Sequence, residues 1–448
     1  MVLEVSGLKI LEESLHSLEE TFHGMPEFAP EACTDEMRGV LLEAATRMQD
    51  NYPYPHPLYA GQMLKPPHPV ARLAYMMSMW INPNNHALDG GRASSAMEKE
   101  AVAGIAKMFG WSEFLGHLCG GGTMANLEAL WVSGRLHPGK KIVASSMAHY
   151  THGRISEVLQ LNFEAIPVDD RAKMDMLALK QVLEGGDVGT VVATLGTTGV
   201  GSVDPLPEII ELQKQYGFRI HVDSAYGGYF GLADNLSEEV RASYDAISAV
   251  DSIVIDPHKH GLQPYGCGCV LFKDPSIGQM YSHDSPYTYF SSDELHLGEI
   301  TLECSRAGAS AVALWATQKL LPLVSGGRFA EDISKGRQAA QMLFDEFKQD
   351  TRYLTVMPPE LDIIIWAPRG ETSSQISQLS QACFDDAEKE HLYLALMELP
   401  ANLAKAYWGE AVTFDTPTVT CLRSTLMKPE HLEWLPEIHK IIDKVTPA

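Results

Sequence analysis

From about residue 97 to residue 273, short apolar runs alternate with stretches whose apolar positions recur at helical spacing. The runs at 141–145, 164–168, 190–195, 219–223, 252–256 and 267–272 predict strands, and the patterns at 97–109, 123–135, 176–183 and 206–216 predict helices. Strand and helix in alternation predict an α/β fold, a mostly parallel central sheet flanked by helices. Sheets of this kind bind ligands beyond the carboxyl ends of their strands. Gly326-Gly327 interrupts the pattern, and a long helix at 328–348, strands near 361–366 and 392–397 and a last helix from about Pro429 predict a small α+β C-terminal domain. Ahead of the sheet lie two helical patterns and then Tyr52-Pro-Tyr-Pro-His-Pro57, too dense in proline for a helix. The expected division is a helical N-terminal arm over 1–58, a large domain over 59–325 and a small domain over 326–448.

Composition narrows the partners. The 448 residues carry 34 basic and 58 acidic side chains, a formal net charge of -24, which argues against nucleic acid or an anionic membrane as the main partner. Apolar runs fall short of membrane-spanning length, and the first ten residues lack the basic start and unbroken apolar stretch of a secretory leader, so a cytoplasmic location is expected. The seven cysteines are odd in number and mostly in apolar context, which predicts reduced core thiols. Cys267-Gly-Cys269 has the wrong spacing for a zinc knuckle or a redox pair, and no metal site is predicted.

Candidate chemistry collects at the predicted strand ends. Asp223 closes a strand inside His221-Val-Asp-Ser-Ala225-Tyr, and Lys259 follows another inside Asp256-Pro-His258-Lys-His-Gly. A lysine amine and a buried carboxylate are the two groups a pyridoxal phosphate clamp needs, one for the cofactor aldehyde and one for the pyridine nitrogen. Gly120-Gly121-Gly122-Thr123 precedes a helical pattern, an arrangement suited to a phosphate but equally to a tight turn. His149 follows the strand at 141–145, where an imidazole could rest on a planar ring or serve as a structural hydrogen-bonding residue. Thr197 and Thr198 end a third strand, where a hydroxyl could reach a phenolic oxygen or form a turn.

These residues together resemble a group II pyridoxal-phosphate-dependent amino acid decarboxylase, the family of the glutamate, tyrosine, aromatic amino acid and histidine decarboxylases, over nearly the whole chain. The resemblance implies a fold-type I transferase-like architecture, pyridoxal 5'-phosphate as cofactor, an amino acid as substrate and a homodimer with shared active sites. It implies that Lys259 forms the Schiff base, with His258 near the cofactor, Asp223 on the pyridine nitrogen and Ala225 beneath the ring. His149 would stack on the other ring face, Thr198 would lie by the phenolic oxygen, and Gly122 and Thr123 would hold the phosphate. The family's phosphate loop usually reads Ser-Gly-Gly-Ser/Thr, so a glycine at position 120 removes one side-chain ligand. Asn85 and His86 resemble a segment lining the substrate pocket, and Arg423 a C-terminal-domain arginine that meets a substrate carboxylate. The resemblance implies a proton donor that is an aromatic hydroxyl on a mobile loop or a nearby histidine; Tyr289 or Tyr287 on a lid at 282–292 is the expected one, against an aromatic loop packed at an interface.

The resulting expectation is decarboxylation of an L-amino acid to its amine and carbon dioxide, with a lean to an aromatic substrate. An acidic substrate such as glutamate or aspartate is the alternative. An aminotransferase or carbon–carbon lyase would keep the cofactor and break another bond, and a non-catalytic scaffold would keep only the fold.

Overall fold

The computed structural model describes residues 3, 5–87, 90–281 and 300–447. Its centre is a seven-stranded sheet: β1 (Leu115–Cys119), β2 (Lys141–Ser145), β3 (Phe163–Ile166), β4 (Val188–Thr194), β5 (Arg219–Asp223), β6 (Ser252–Ile255) and β7 (Gly268–Phe272). The order across it is β1-β7-β6-β5-β4-β2-β3. The β2–β3, β2–β4, β4–β5 and β5–β6 pairs are parallel, whereas β7 runs antiparallel to both β6 and β1. Every residue of β4, β6 and β7 is buried, as expected of strands covered on both faces.

Two strands depart from the expected pattern. β1 is absent from the predicted set because Gly116 and His117 dilute its apolar run. Both are there for packing: a Cβ on Gly116 would lie 2.3 Å from Leu271 Cδ2, and His117 Nε2 bonds the buried Glu128 at 2.8 Å. β7 lies where expected but reverses direction, which an all-buried run cannot reveal.

A second, antiparallel sheet has the order β10-β11-β9-β8, from β8 (Tyr353–Thr355), β9 (Ile363–Pro368), β10 (Ala395–Pro400) and β11 (Thr418–Thr425). Its apolar face packs Trp366 among Phe347 and Tyr353. The main core continues across the expected boundary near residue 326, since Phe329, Ile333, Ile363 and Ile365 join the same cluster as Val191, Ile220 and Ile253. β11, the central strand missed by pattern, carries Arg423 opposite Ala395 and Ile365.

The arm does form two helices, Leu8–Glu19 and Asp35–Met48. The second, capped by Thr34 Oγ1 accepting from the Met37 amide at 3.2 Å, buries none of its residues and leaves Val40, Leu41, Leu42 and Met48 exposed.

Candidate active site

With β1, β2, β4, β5 and β6 running the same way, their carboxyl ends meet at one edge. A cavity of about 490 Å³ opens there, within the range of small-molecule sites. Gly122, Thr123, His149, Thr198, Asp223, Ala225, His258 and Lys259 all line it. Asn126, Thr151, Thr194, Tyr226 and Asp256 line it as well and were not singled out from sequence.

The glycine turn after β1 leads into helix Gly122–Leu136, whose first-turn amides have no acceptor within the helix. Gly121 has φ +144, which favours glycine, and a Cβ on Gly122 would stand 2.7 Å from Asp256 Oδ2 and 3.2 Å from Ala225 Cβ. The bare backbone is what lets helix start, acid and Ala225 converge. The Gly120 amide is already used, donating to Glu303 Oε2 at 3.0 Å.

Asp223, 4% exposed at the end of β5, is the best-supported group. Its Oδ2 accepts from His152 Nε2 at 2.8 Å and from Asn126 Nδ2 at 3.3 Å, and its Oδ1 accepts from the Ala225 amide at 3.1 Å. Burial alone would raise the carboxyl pKa, but the hydrogen bond and field of His152, the Ala225 amide and the Lys259 charge together hold it below the usual range. Asp223 is therefore a carboxylate at neutral pH.

Lys259 follows β6, its Nζ 3.2 Å from Asp256 Oδ2. Asp256 Oδ2 also stands 3.5 Å from His258 Nε2, and Asp256 Oδ1 has no hydrogen-bond partner among the described residues. Burial lowers the pKa of His258, as it does that of His149. The Thr151 amide donates to His149 Nδ1 at 3.3 Å and the Thr151 hydroxyl lies 2.8 Å from the same atom, which leaves the ring proton on Nε2. Tyr150 stacks on this imidazole at 4.4 Å.

Thr197 and Thr198 divide. Thr197 is buried and pairs with Ser202 Oγ at 2.9 Å inside the turn, leaving Thr198 at the cavity.

None of the three expected substrate residues, Asn85, His86 and Arg423, is in the cavity lining. Asn85 does not line the cavity: its Nδ2 donates to Glu98 Oε2 at 2.6 Å, its Oδ1 accepts from Ser94 Oγ at 2.5 Å, and its carbonyl accepts from Arg306 Nη2 at 3.0 Å. The amide is fully buried and engaged at both ends away from the cavity lining. His86 is likewise outside the cavity lining. Arg423 is 7% exposed and has one long contact, Nη1 to Gln62 Oε1 at 3.5 Å, while Nε and Nη2 have no partner among the described residues. Burial lowers its pKa against the opposing fields of Tyr226, Asp362 and Tyr59. Tyr289 and Tyr287 lie outside the described residues.

The cavity fits the expected cofactor in kind: an amine and a carboxylate both reach it, uncapped helix amides face it, and Thr194 Oγ1 and Asp256 Oδ1 are buried without partners among the described residues.

Comparison with known proteins agrees. Residues 130–366 match the family described as "Pyridoxal-dependent decarboxylase conserved domain". The chain is 28% identical to the L-tyrosine decarboxylase of Enterococcus faecium, over 79% of this chain and 76% of that protein. It is 27% identical to the L-aspartate decarboxylase of Thermococcus kodakarensis, over 72% of this chain and 83% of that one. Among solved structures, Oryza sativa TDC with PLP and tryptamine superposes with a TM-score of 0.79 at 16% identity, covering 99% of each chain. Catharanthus roseus tryptophan decarboxylase in complex with L-tryptophan gives 0.75 at 18% identity, again over 99% of each chain. At these identities the structures show a shared fold.

Proposed function

The chain belongs to the pyridoxal-dependent decarboxylase family, and from that premise we propose that it removes the carboxylate of an aromatic L-amino acid, releasing the amine and carbon dioxide, with Lys259 and Asp223 as the two ends of its cofactor clamp. The observation that carries this reading is the pairing in one cavity of a lysine amine with a carboxylate held ionised by three donors.

Pyridoxal 5'-phosphate, when bound, supplies an aldehyde that links covalently to an amine and a ring that draws electrons out of the bond to be broken. The protein does the rest. The Gly122 and Thr123 amides face the phosphate from the positive end of their helix. His149, held by Thr151, and Ala225 both line the cavity and would hold the cofactor ring between them. Thr198 and His258 contribute polar contacts at the rim, His258 as a neutral group because burial lowers its pKa. Asp256 Oδ2 is within reach of the proton that Lys259 Nζ must lose to act as a nucleophile. Asp223 keeps the pyridine nitrogen protonated, so its charge favours the state in which electrons have moved toward the ring.

Arg423 is the group assigned to the substrate carboxylate, since its Nε and Nη2 are the unspent donors of a buried guanidinium. Met124, Leu127 and Tyr226 give the cavity an apolar wall suited to a ring. A specific observation favours aspartate as the second reading: Lys428, buried and donating to the Tyr59 carbonyl at 2.6 Å, adds a second basic group, part-charged at neutral pH, to the same small-domain region. Carbon dioxide release from L-tyrosine, L-tryptophan and L-aspartate decides between them. Release from an aromatic substrate without a keto-acid acceptor is expected, release from aspartate alone transfers the function to the second reading, and release from none overturns both. Borohydride should fix the cofactor onto Lys259.

The working unit in this reading is a homodimer. The apolar residues of helix Asp35–Met48, together with Phe28 at 86% exposure, find no cover among the described residues, and a second copy is the occupant proposed for them. Sedimentation should report twice the 49.3 kDa chain mass.

A further inference from the structure

Asp223 is held by residues whose part in the site has no explanation in the cofactor contacts alone. His152 lies on helix Thr151–Val158, three positions after His149, and is fully buried. Its Nε2 meets Asp223 Oδ2 at 2.8 Å. An ionised carboxylate only accepts, so the imidazole proton of that bond sits on Nε2, and Nδ1 has no partner among the described residues. His152 thus has a single polar contact, and it is to Asp223.

The second donor on Oδ2 is the end of a chain whose directions are all fixed. Asn126 Nδ2 donates to Asp223, which turns the Asn126 oxygen toward His221 Nε2 at 2.9 Å. His221 must then donate from Nε2 and accept at Nδ1 from Ser252 Oγ, also at 2.9 Å. That requires a neutral ring, and burial pushes the His221 pKa down to about 3. With the Ala225 amide on Oδ1, three of the roughly four lone-pair directions of the carboxylate are taken. About one remains for the ring nitrogen.

We infer that His152 is a positioning residue for Asp223: it fixes the plane of the carboxylate and leaves the last acceptor direction aimed at the pyridine nitrogen. The inference rests on the reading that Asp223 pairs with that nitrogen. His152→Phe keeps a flat ring of similar size and removes the donor, and His152→Gln returns one.

The test measures the affinity of the full-length protein for pyridoxal phosphate and for its 1-deaza analogue, in which carbon replaces the ring nitrogen. His152→Phe should weaken pyridoxal phosphate by roughly tenfold and leave the analogue within about twofold of wild type, since only the nitrogen feels the misaligned acceptor. His152→Gln should recover most of the loss. In the holoenzyme, kcat of His152→Phe should fall by about 10- to 100-fold while KM stays within about threefold. Equal weakening of both cofactors, or of neither, with the wild-type preference for pyridoxal phosphate intact, overturns the positioning role alone. A wild-type protein that holds the two cofactors equally well overturns the Asp223 reading and this inference with it. Should His152→Phe fail to fold, His152→Leu is the second donor-free variant and is read by the same comparison.

Discussion

Around Asp223 three donors converge on one carboxylate, whereas around Arg423 several buried polar atoms have no hydrogen-bond partner among the described residues. Arg423 Nε and Nη2 lack hydrogen-bond partners among the described residues, and so do both ring nitrogens of His260 and Asp362 Oδ2, although His260 Nε2 is only 3.3 Å from that oxygen. The difference separates two tasks. A group whose charge must be the same in every turnover is best fixed by the fold, because each bond made in advance is one the reaction need not organise. A group that must grip and release a substrate has to keep donors unspent, and each buried donor left without a partner costs about 1–3 kcal/mol. The cofactor end is completed by the chain; the Arg423 end is left for what binds there.

The comparison predicts its largest effect at the clamp itself. Lys259→Ala should leave nothing for borohydride to trap and no measurable turnover. Asp223→Ala should lower kcat on the order of a thousandfold with substrate affinity changed only a few-fold, because the charge acts on the electron-rich state more than on the bound ground state. A large rise in KM with kcat retained would instead make Asp223 a binding residue. Arg423→Met should do the reverse, raising KM by about 10- to 100-fold with kcat nearly intact.

Stability separates the two regions next. Asn126→Ala strands the His221 Nε2 proton and removes a donor from Asp223, and should cost about 1–3 kcal/mol in denaturant unfolding. Arg423→Met removes two donors that were bonded to nothing described, and should be neutral or stabilising in the cofactor-free protein. Equal losses at the two sites would erase the distinction.

The sequence made the cofactor end legible because its landmarks sit where apolar runs stop: Asp223 closes β5, and Lys259, His149 and Thr198 follow β6, β2 and β4. What it concealed is the wiring behind them. Asn126 and His152 look like ordinary polar positions in helices, and only the placement of helices Gly122–Leu136 and Thr151–Val158 against β5 makes them partners of Asp223. The three-residue step from His149 to His152 at the start of helix Thr151–Val158 was the available signal for the second. β11 was hidden by Thr418, Thr420, Arg423 and Ser424 among its apolar residues, so Arg423 was found by resemblance before its strand was known. Asn85 falls outside the cavity lining for the opposite reason: its neighbourhood has the right residue types, but Glu98 and Ser94 engage both ends of its amide.

The smallest expected effects are in pH dependence, where a single group changes stability by at most about 1.4 kcal/mol per pH unit. At the cofactor end, burial lowers His221 from 6.5 to about 3. Between those values the unfolded chain binds a proton that the native protein does not, so the contribution is full above about 6.5 and is lost as pH falls toward 3. His221→Gln keeps a donor for Asn126 and an acceptor for Ser252 without titrating, and should show a shallower loss of melting temperature from pH 6.5 to 4.5. At the other end, burial lowers Lys428 from 10.5 to about 7. The charged amine is penalised in the native state, so its contribution is least favourable below about 7 and improves as pH rises above it. Lys428→Met should therefore flatten the rise between pH 7 and 8.5, measured as the difference from wild type so that other titrating groups cancel. The two variants should act in separate windows on either side of neutrality, and a change in both windows from either one would mean that the two regions titrate as a single network.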